Sequence, residues 1–261
     1  MQICNQLNPL YEVSLIQKSN AHFYKIDNDD IWRPGVTGIL GVINKPAIPI
    51  WSSEQSANYV LKIARKLDGI KTDRLKYNTR FSKLLIKRAK KQPLIKSREA
   101  SNIGTQVHKT IDSIISGEEI EIHQDIKPAV DGFLSWRNSN SLKIMLGDTK
   151  IASRIYGFGG SLDMVAFDNN QAVIFDFKTT KKRKDRSHGI YNEFAYQLAA
   201  YKIAFQETFG ISVKALYALW LNKEKPEFEA VRINNHEMCF EAFLGAFKLY
   251  QMQKFNILDD F

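Results

Sequence analysis

The run Ala172-Val173-Ile174-Phe175-Asp176-Phe177-Lys178 constrains this chain more than any other, because two charges stand inside an otherwise apolar stretch. Its β-branched and aromatic content reads as a strand. The two-residue period then places Asp176 and Lys178 on one face and Phe175 and Phe177 on the other. Charges in so apolar a strand are costly unless they meet each other, a metal or a substrate. The competing reading is that both charges lie past the buried part of the strand and are solvated there; an Asp-x-Lys triplet alone does not decide between the two. Its surroundings say more. Gly157, Gly159 and Gly160 mark a turn, a strand carrying Asp163 follows, and Asp168, Asn169 and Asn170 mark a second turn. A hairpin through that second turn brings Asp163 and Asp176 together at one end of a sheet.

Around this hairpin the chain reads as one mixed α/β unit. Residues 11–27 alternate loosely about Lys18, Ser19, Asn20 and Ala21, as in a small hairpin, before turn residues Asn28 to Asp30. Thr37 is a candidate helix cap, and after Pro46 and Pro49 a helix is expected from Ser52 or Ser53. A basic helix follows, with Phe81, Leu84, Leu85 and Arg88 or Ala89 on a common side, and breaks near Pro93. A further helix is expected from Ser101 to Ser116, with Val107, Ile111, Ile114 and Ile115 inward and Gly117 as its stop. The region 142–180 reads as strand, strand and hairpin partner. A helix over 191–209 closes at Gly210, strands follow near 213–221 and 228–233, and a helix over 237–255 ends the chain. The expected division is a single domain, 1–261, with an N-terminal hairpin (1–33), a helical basic segment (34–98) and a core (99–261).

Bulk properties narrow the function classes. With 44% hydrophobic and 25% charged residues the 261-residue chain is not a disordered one. No run approaches the roughly 18 consecutive apolar residues of a membrane span, and no secretion signal is visible, so no membrane partner and a cytoplasmic location are expected. Cys4 and Cys239 are far apart and read as reduced thiols, which supports neither a disulfide framework nor a zinc site. Residues 62–98 hold 14 lysines and arginines and only Asp68 and Asp73, a local net charge of +12, so the rest of the chain sums to −3. Such a run is usually a solvated helix face. There is no Walker loop, no Gly-x-Ser-x-Gly elbow and no dinucleotide fingerprint.

Phosphodiester hydrolysis needs an activated water and a counter-charge for the transition state, and hard divalent cations held by carboxylates supply both. Asp163 and Asp176 on neighbouring strands, Lys178 beside them and His108 on an upstream helix form a workable set. A lone helix-borne histidine is more often a surface or core residue than a ligand.

The motifs Gly104-Thr105-x-x-His108, Gly159-Gly160-Ser161-Leu162-Asp163, Ile174-Phe175-Asp176-Phe177-Lys178-Thr179-Thr180 and Gln197-x-x-x-Tyr201 resemble, in order and spacing, those of the PD-(D/E)XK nuclease superfamily in its RecB-like branch. Residues 156–201, together with Pro34-Gly35-Val36-Thr37-Gly38-Ile39-Leu40, look most like the mitochondrial genome maintenance exonucleases and their phage and bacterial relatives. The resemblance implies a restriction-endonuclease-like α/β core, a mixed sheet flanked by helices. It further implies Mg²⁺ or Mn²⁺ bound by His108, Asp163, Asp176 and the backbone carbonyl of Phe177, with Asp112 an alternative one helical turn beyond His108. Asp163, Asp176 and Lys178 would be catalytic, Lys178 orienting the attacking water. Products would carry a 5′-phosphate and a 3′-hydroxyl. Gln197 and Tyr201 would sit beside the site and contact substrate, although an amide and a tyrosine at a helix–sheet interface are an equally good reading.

The same resemblance gives the basic segment a role in guiding single-stranded DNA, with Arg80, Lys83, Lys87, Arg88 and Lys90 on phosphates and Trp51, Tyr77 or Phe81 as stacking surfaces or plain core. Lys181, Lys182, Arg183, Lys184 and Arg186 follow the catalytic strand and are a second candidate phosphate contact, with His188 beside them. The expected activity is a metal-dependent exonuclease acting on single-stranded DNA from an end. The alternatives are an endonuclease or resolvase acting on duplex or branched DNA, and a catalytically silent single-strand-binding protein.

Overall fold

The computed structural model describes residues 7–18, 21–27, 29–67, 79–169, 171–181 and 191–253. Cys4, Tyr77, Lys182, Arg183, Lys184, Arg186 and His188, singled out above, lie outside them. In chain order the elements are β1 (Val13–Lys18), β2 (Ala21–Ile26), β3 (Arg33–Pro34), α1 (Val36–Ile39), α2 (Ala47–Leu67), α3 (Thr79–Ile115), α4 (Lys127–Asn138), β4 (Lys143–Ser153), β5 (Phe158–Asp168), β6 (Gln171–Thr180), α5 (Asn192–Phe209), β7 (Val213–Asn222), β8 (Phe228–Arg232) and α6 (His236–Met252). A 3-10 turn over Leu40–Val42 continues α1. Two compact units result, residues 1–43 with 106–261, and residues 44–105.

The first unit is built on a five-stranded sheet of order β4-β5-β6-β7-β8. Only the β6–β7 pair is parallel; the others are antiparallel. The crossover between the parallel strands is α5, which covers one face of the sheet and packs against α6, whose Phe243 ring lies 4.8 Å from that of Phe158 on β5. Leu198, Tyr201 and Phe205 of α5 meet Ile174 and Leu216 in the main core. Gly210, at φ +68°, ends α5 as expected, its N–H bonding the Gln206 carbonyl at 2.9 Å. The other face of β6 is aromatic: Phe175 lies 4.9 Å from Trp136, and Phe177 lies 5.7 Å from Phe133. Both partners belong to α4, an element absent from the sequence-based expectation. Its signal was present in Pro128 within the first turn and in the spacing of the buried Ala129, Val130, Phe133 and Trp136.

A three-stranded antiparallel sheet, β1-β2-β3, packs its inner face on β4 and β5. Tyr24 and Ile26 are buried there with Ala152, and the Tyr11 hydroxyl donates to the Ala152 carbonyl at 2.7 Å. The expected β1–β2 hairpin pairs Lys18 with Ala21; Ser19 and Asn20 lie outside the described residues.

The structure corrects the sequence-based expectation in four places. Gly159 and Gly160 are strand residues of β5, and the turn is made at Gly157, φ +78°. A side chain at Gly159 would enter the ring of Tyr24, and one at Gly160 would enter the ring of Tyr201. Pro93 does not end its helix: α3 runs through it, with long helix-forming stretches on both sides. Thr37 does not cap α1; Gly35 occupies that position. Finally, α2 begins at Ala47, because Pro49 falls in the first turn, where its missing N–H costs nothing.

The second unit, residues 44–105, holds α2 and the first part of α3. α2 buries no residue, and on α3 Phe81 and Leu85 are half-buried and Ala89 buried, while Leu84 is exposed. Among the described residues no helix is long and apolar enough to cross a membrane. Cys239 is a free, half-buried thiol.

The close seat of Tyr201 on Gly160 yields a quantitative expectation. Gly160→Ala is expected to cost about 1–3 kcal/mol of stability by overpacking. Removing the ring with Tyr201→Ala in the same chain should make the combined cost smaller than the sum of the two, as read by urea unfolding.

Candidate active site

The site forms where β5 and β6 part. Their antiparallel ladder runs from Asp168↔Gln171 to Met164↔Phe175 and stops one step before Asp163 would face Asp176. β6 itself continues, paired in parallel with β7 as far as Thr180↔Asn222. At the fork a side chain takes over from the strand: Asp163 Oδ2 accepts the backbone N–H of Phe177 at 2.6 Å. The other oxygen of Asp163 lies 3.0 Å from His108 Nδ1. His108 is positioned from α3 by Val107 and Ile111, both fully buried, and its ring meets Phe177 edge-on at 5.6 Å.

Asp176 and Lys178 share a face of β6, as their spacing predicts, and both turn towards α5. Asp176 is buried, 3% exposed, and forms a close ion pair with the Lys178 ammonium. Gln197 ties the group together. Its amide nitrogen donates to Asp176 Oδ1 at 3.1 Å and to the Tyr201 hydroxyl at 2.9 Å, and its carbonyl oxygen accepts from Lys178 Nζ at 3.4 Å. The i, i+4 spacing of Gln197 and Tyr201 on α5 makes this possible.

The two carboxylates are shifted in opposite directions. Burial pushes Asp176 up, to about 6; Lys178 opposes this and the negative charge of Asp163 adds to it. Burial also works against Asp163, but His108, Lys178 and the Phe177 N–H together hold it below the usual carboxylate range. For His108, burial favours the neutral ring, yet the Asp163 charge and hydrogen bond carry it above its ordinary value. Burial raises Tyr201 well above the normal phenol range. Neighbouring groups driven in opposite directions are a recurring property of reactive sites.

Asp163 and Asp176 bring two carboxylates to the fork, the ligand type that a hard cation prefers. Asp176 Oδ2 is buried without an aligned hydrogen bond, so one carboxylate oxygen has only the Lys178 charge for company. Among the described residues no three His, Cys, Asp or Glu side chains are arranged to hold a metal ion together. A cation here would rest mainly on carboxylates and water, the habit of Mg²⁺.

His108, Asp163, Asp176, Phe177, Lys178, Gln197 and Tyr201 thus come together. Asp112 does not join them; it lies over Gly147, with Asp148 and Lys150 acting on it more strongly than Asp163. Lys181 is exposed and paired with Glu224. Arg80, Lys83, Lys87, Arg88 and Lys90 are exposed on α3 within the second unit, and Trp51 is exposed on α2. Two participants were not foreseen from the sequence. The Phe194 ring lies 4.3 Å from Lys178 Nζ, and the Tyr24 hydroxyl meets Ser161 Oγ at 3.2 Å, two residues from Asp163. Phe194 could have been found from its position one helical turn before Gln197; Tyr24 has no local signal.

A mixed five-stranded sheet flanked by helices, with an acidic fork at the end of its central hairpin, defines a restriction-endonuclease-like α/β fold. Residues 126–248, just under half of the chain, match the family model of the PD-(D/E)XK nuclease superfamily, which supports a nuclease. No curated protein matches the chain. Among solved structures, a protein designated SSO0001 shares 14% identity at a TM-score of 0.33, covering 67% of this chain and 70% of its own. A protein from Eubacterium rectale that carries the provisional name of an exonuclease shares 11% identity at a TM-score of 0.41, covering 58% of this chain and 65% of its own. At these TM-scores neither likeness adds to the fold assignment.

The raised Asp176 has a consequence for stability. Its folded-state value of about 6 lies above the roughly 3.9 of a free aspartate, so folding favours the protonated form. That contribution is fully present below the unfolded value and is lost as pH rises through about 6. In chelator, the stability advantage of the wild type over Asp176→Asn should therefore shrink between pH 4.5 and 7.5 in urea unfolding. Equal differences at the two pH values would contradict the assignment.

Proposed function

We propose that this chain is a metal-dependent deoxyribonuclease that hydrolyses phosphodiester bonds of single-stranded DNA from an end. The observation that carries the reading is the Asp163–Asp176–Lys178 cluster at the β5–β6 fork, too costly to bury for a purely structural purpose. Asp163, Asp176, His108 and the Phe177 carbonyl would hold Mg²⁺ or Mn²⁺, which supplies electrophilic assistance to the phosphate and a more acidic water. Lys178 orients the attacking water and offsets charge growing on the phosphate. Gln197, braced by Tyr201, fixes the carboxylate of Asp176 and the ammonium of Lys178 relative to each other, so little reorganisation is left for the reaction. The sequence motifs point to the RecB-like branch, and to relatives of the mitochondrial genome maintenance exonucleases.

The basic segment supports the substrate assignment. With a local net charge of +12 over residues 62–98, it favours a polyanion read through its backbone, without sequence preference. Arg80, Lys83, Lys87 and Arg88 are proposed phosphate contacts, joined after the catalytic strand by Lys181, Lys182 and Arg183.

End-labelled linear single-stranded DNA incubated with Mg²⁺ or Mn²⁺ should be shortened by the wild type, and Lys178→Ala should abolish the shortening. A circular strand of the same sequence should persist; its loss would favour the endonuclease or resolvase reading. Binding without cutting under either metal would favour the catalytically silent alternative.

The basic segment has its own test. Replacing Arg80, Lys83, Lys87 and Arg88 with glutamine should flatten the plot of log affinity against log salt by roughly 0.7 for each phosphate no longer neutralised. An unchanged slope would move the DNA path away from α3.

A further inference from the structure

Among the described residues the Lys178 ammonium meets two polar groups and one aromatic ring. Asp176 pairs with it closely and Gln197 Oε1 accepts from it at 3.4 Å, while the Phe194 ring centroid stands 4.3 Å away, well within cation–π range. Phe194 is itself held. It is half-buried in the first turn of α5, its N–H bonds the Tyr191 carbonyl at 3.0 Å, and the Tyr191 ring meets its edge at 5.9 Å and 70°. Gln197 follows one turn later on the same helix, so one face of α5 presents both a carbonyl and an aromatic face to the same ammonium.

We propose that Phe194 is a positioning residue that holds the Lys178 ammonium in place when Asp176 is engaged elsewhere. This rests on the reading of Lys178 as the catalytic lysine. Asp176 cannot serve as an exclusive partner of Lys178 and also take part in binding a cation, because the Oδ2 that pairs with the ammonium and the Oδ1 that accepts from Gln197 are its only two oxygens. Gln197 alone, at 3.4 Å, is a weak tether for a four-carbon stem with several rotatable bonds. The ring supplies an attraction that does not compete for Asp176 and does not neutralise the charge that Lys178 needs.

Two readouts separate this inference from the nuclease reading. In metal-free protein labelled with ¹³C-lysine, the Lys178 ε-methylene protons, identified by their loss in Lys178→Ala, should be shifted upfield by the ring. Phe194→Leu should abolish that shift, and Phe194→Tyr should retain it. A resonance indifferent to Phe194→Leu overturns the inference whatever the protein cuts. In the strand-cutting assay, Phe194→Leu should lower kcat roughly tenfold with little change in KM, and Phe194→Tyr should restore it to within about twofold. Equal kcat for the leucine and tyrosine variants, or an effect confined to KM, overturns it as well. Ring-shifted lysine protons in a wild type that cuts nothing would support the contact while removing the nuclease reading.

Discussion

The structure turns on one carboxylate. Where β5 and β6 part, the amide of Phe177 would face an open fork, and Asp163 Oδ2 accepts it at 2.6 Å. A side chain has replaced a strand as hydrogen-bond partner, which keeps the backbone satisfied while holding the strands apart. The opening of the fork lets His108 approach the second oxygen from α3 and leaves Asp176 free to turn towards α5. Without Asp163 the Phe177 N–H and the imidazole of His108 would lose a common partner. Its chemical role and its structural role are the same set of bonds.

Two carboxylates in one small region cannot both be comfortable as anions, and the surroundings divide them. Asp163 gains a backbone donor and an imidazole and is held low; Asp176 gains Lys178 but is more deeply buried and is driven up. The difference comes from burial, which dominates at Asp176 and is reinforced there by the Asp163 charge, whereas at Asp163 His108, Lys178 and the Phe177 N–H together overcome it. Gln197 donates to Asp176 Oδ1 and so limits where the Asp176 carboxyl can point. Tyr201 braces Gln197 and is in turn seated on Gly160, so packing on β5 reaches the acid on β6 through two side chains.

The hairpin, the acidic pair and the shared face of Asp176 and Lys178 were legible in the sequence because each rests on a local rule: period two, turn residues, and the cost of charge in an apolar run. α5 and its stop at Gly210 were legible for the same reason. α4 was not, because its apolar spacing occupies only twelve residues between polar neighbours. Gly159 and Gly160 read as turn residues because glycine most often marks turns; here they admit rings from β2 and α5, contacts between residues far apart in the chain. Pro93 reads as a break because the local rule ignores how much helix lies on either side. Phe194 and Tyr24 belong to the same group as the glycines, since what they touch is fixed by the tertiary arrangement.

The residues that match the superfamily, 126–248, contain both aspartates, the lysine, Gln197 and Tyr201, yet they do not contain the whole site. His108 comes from α3, and Tyr24 and Gly35 come from the N-terminal sheet, where Gly35 bridges Gly159 and the Tyr24 ring lies on the same residue. Each of these contacts falls on β5 or on the fork it makes with β6. A segment confined to the matched residues would leave Asp163 with one partner fewer, the edge of Phe177 uncovered and the flat backbone of Gly159 open to solvent. The fork is therefore a product of three distant parts of the chain: the hairpin that carries the acids, the helix that carries the histidine, and the N-terminal segment that covers Gly159.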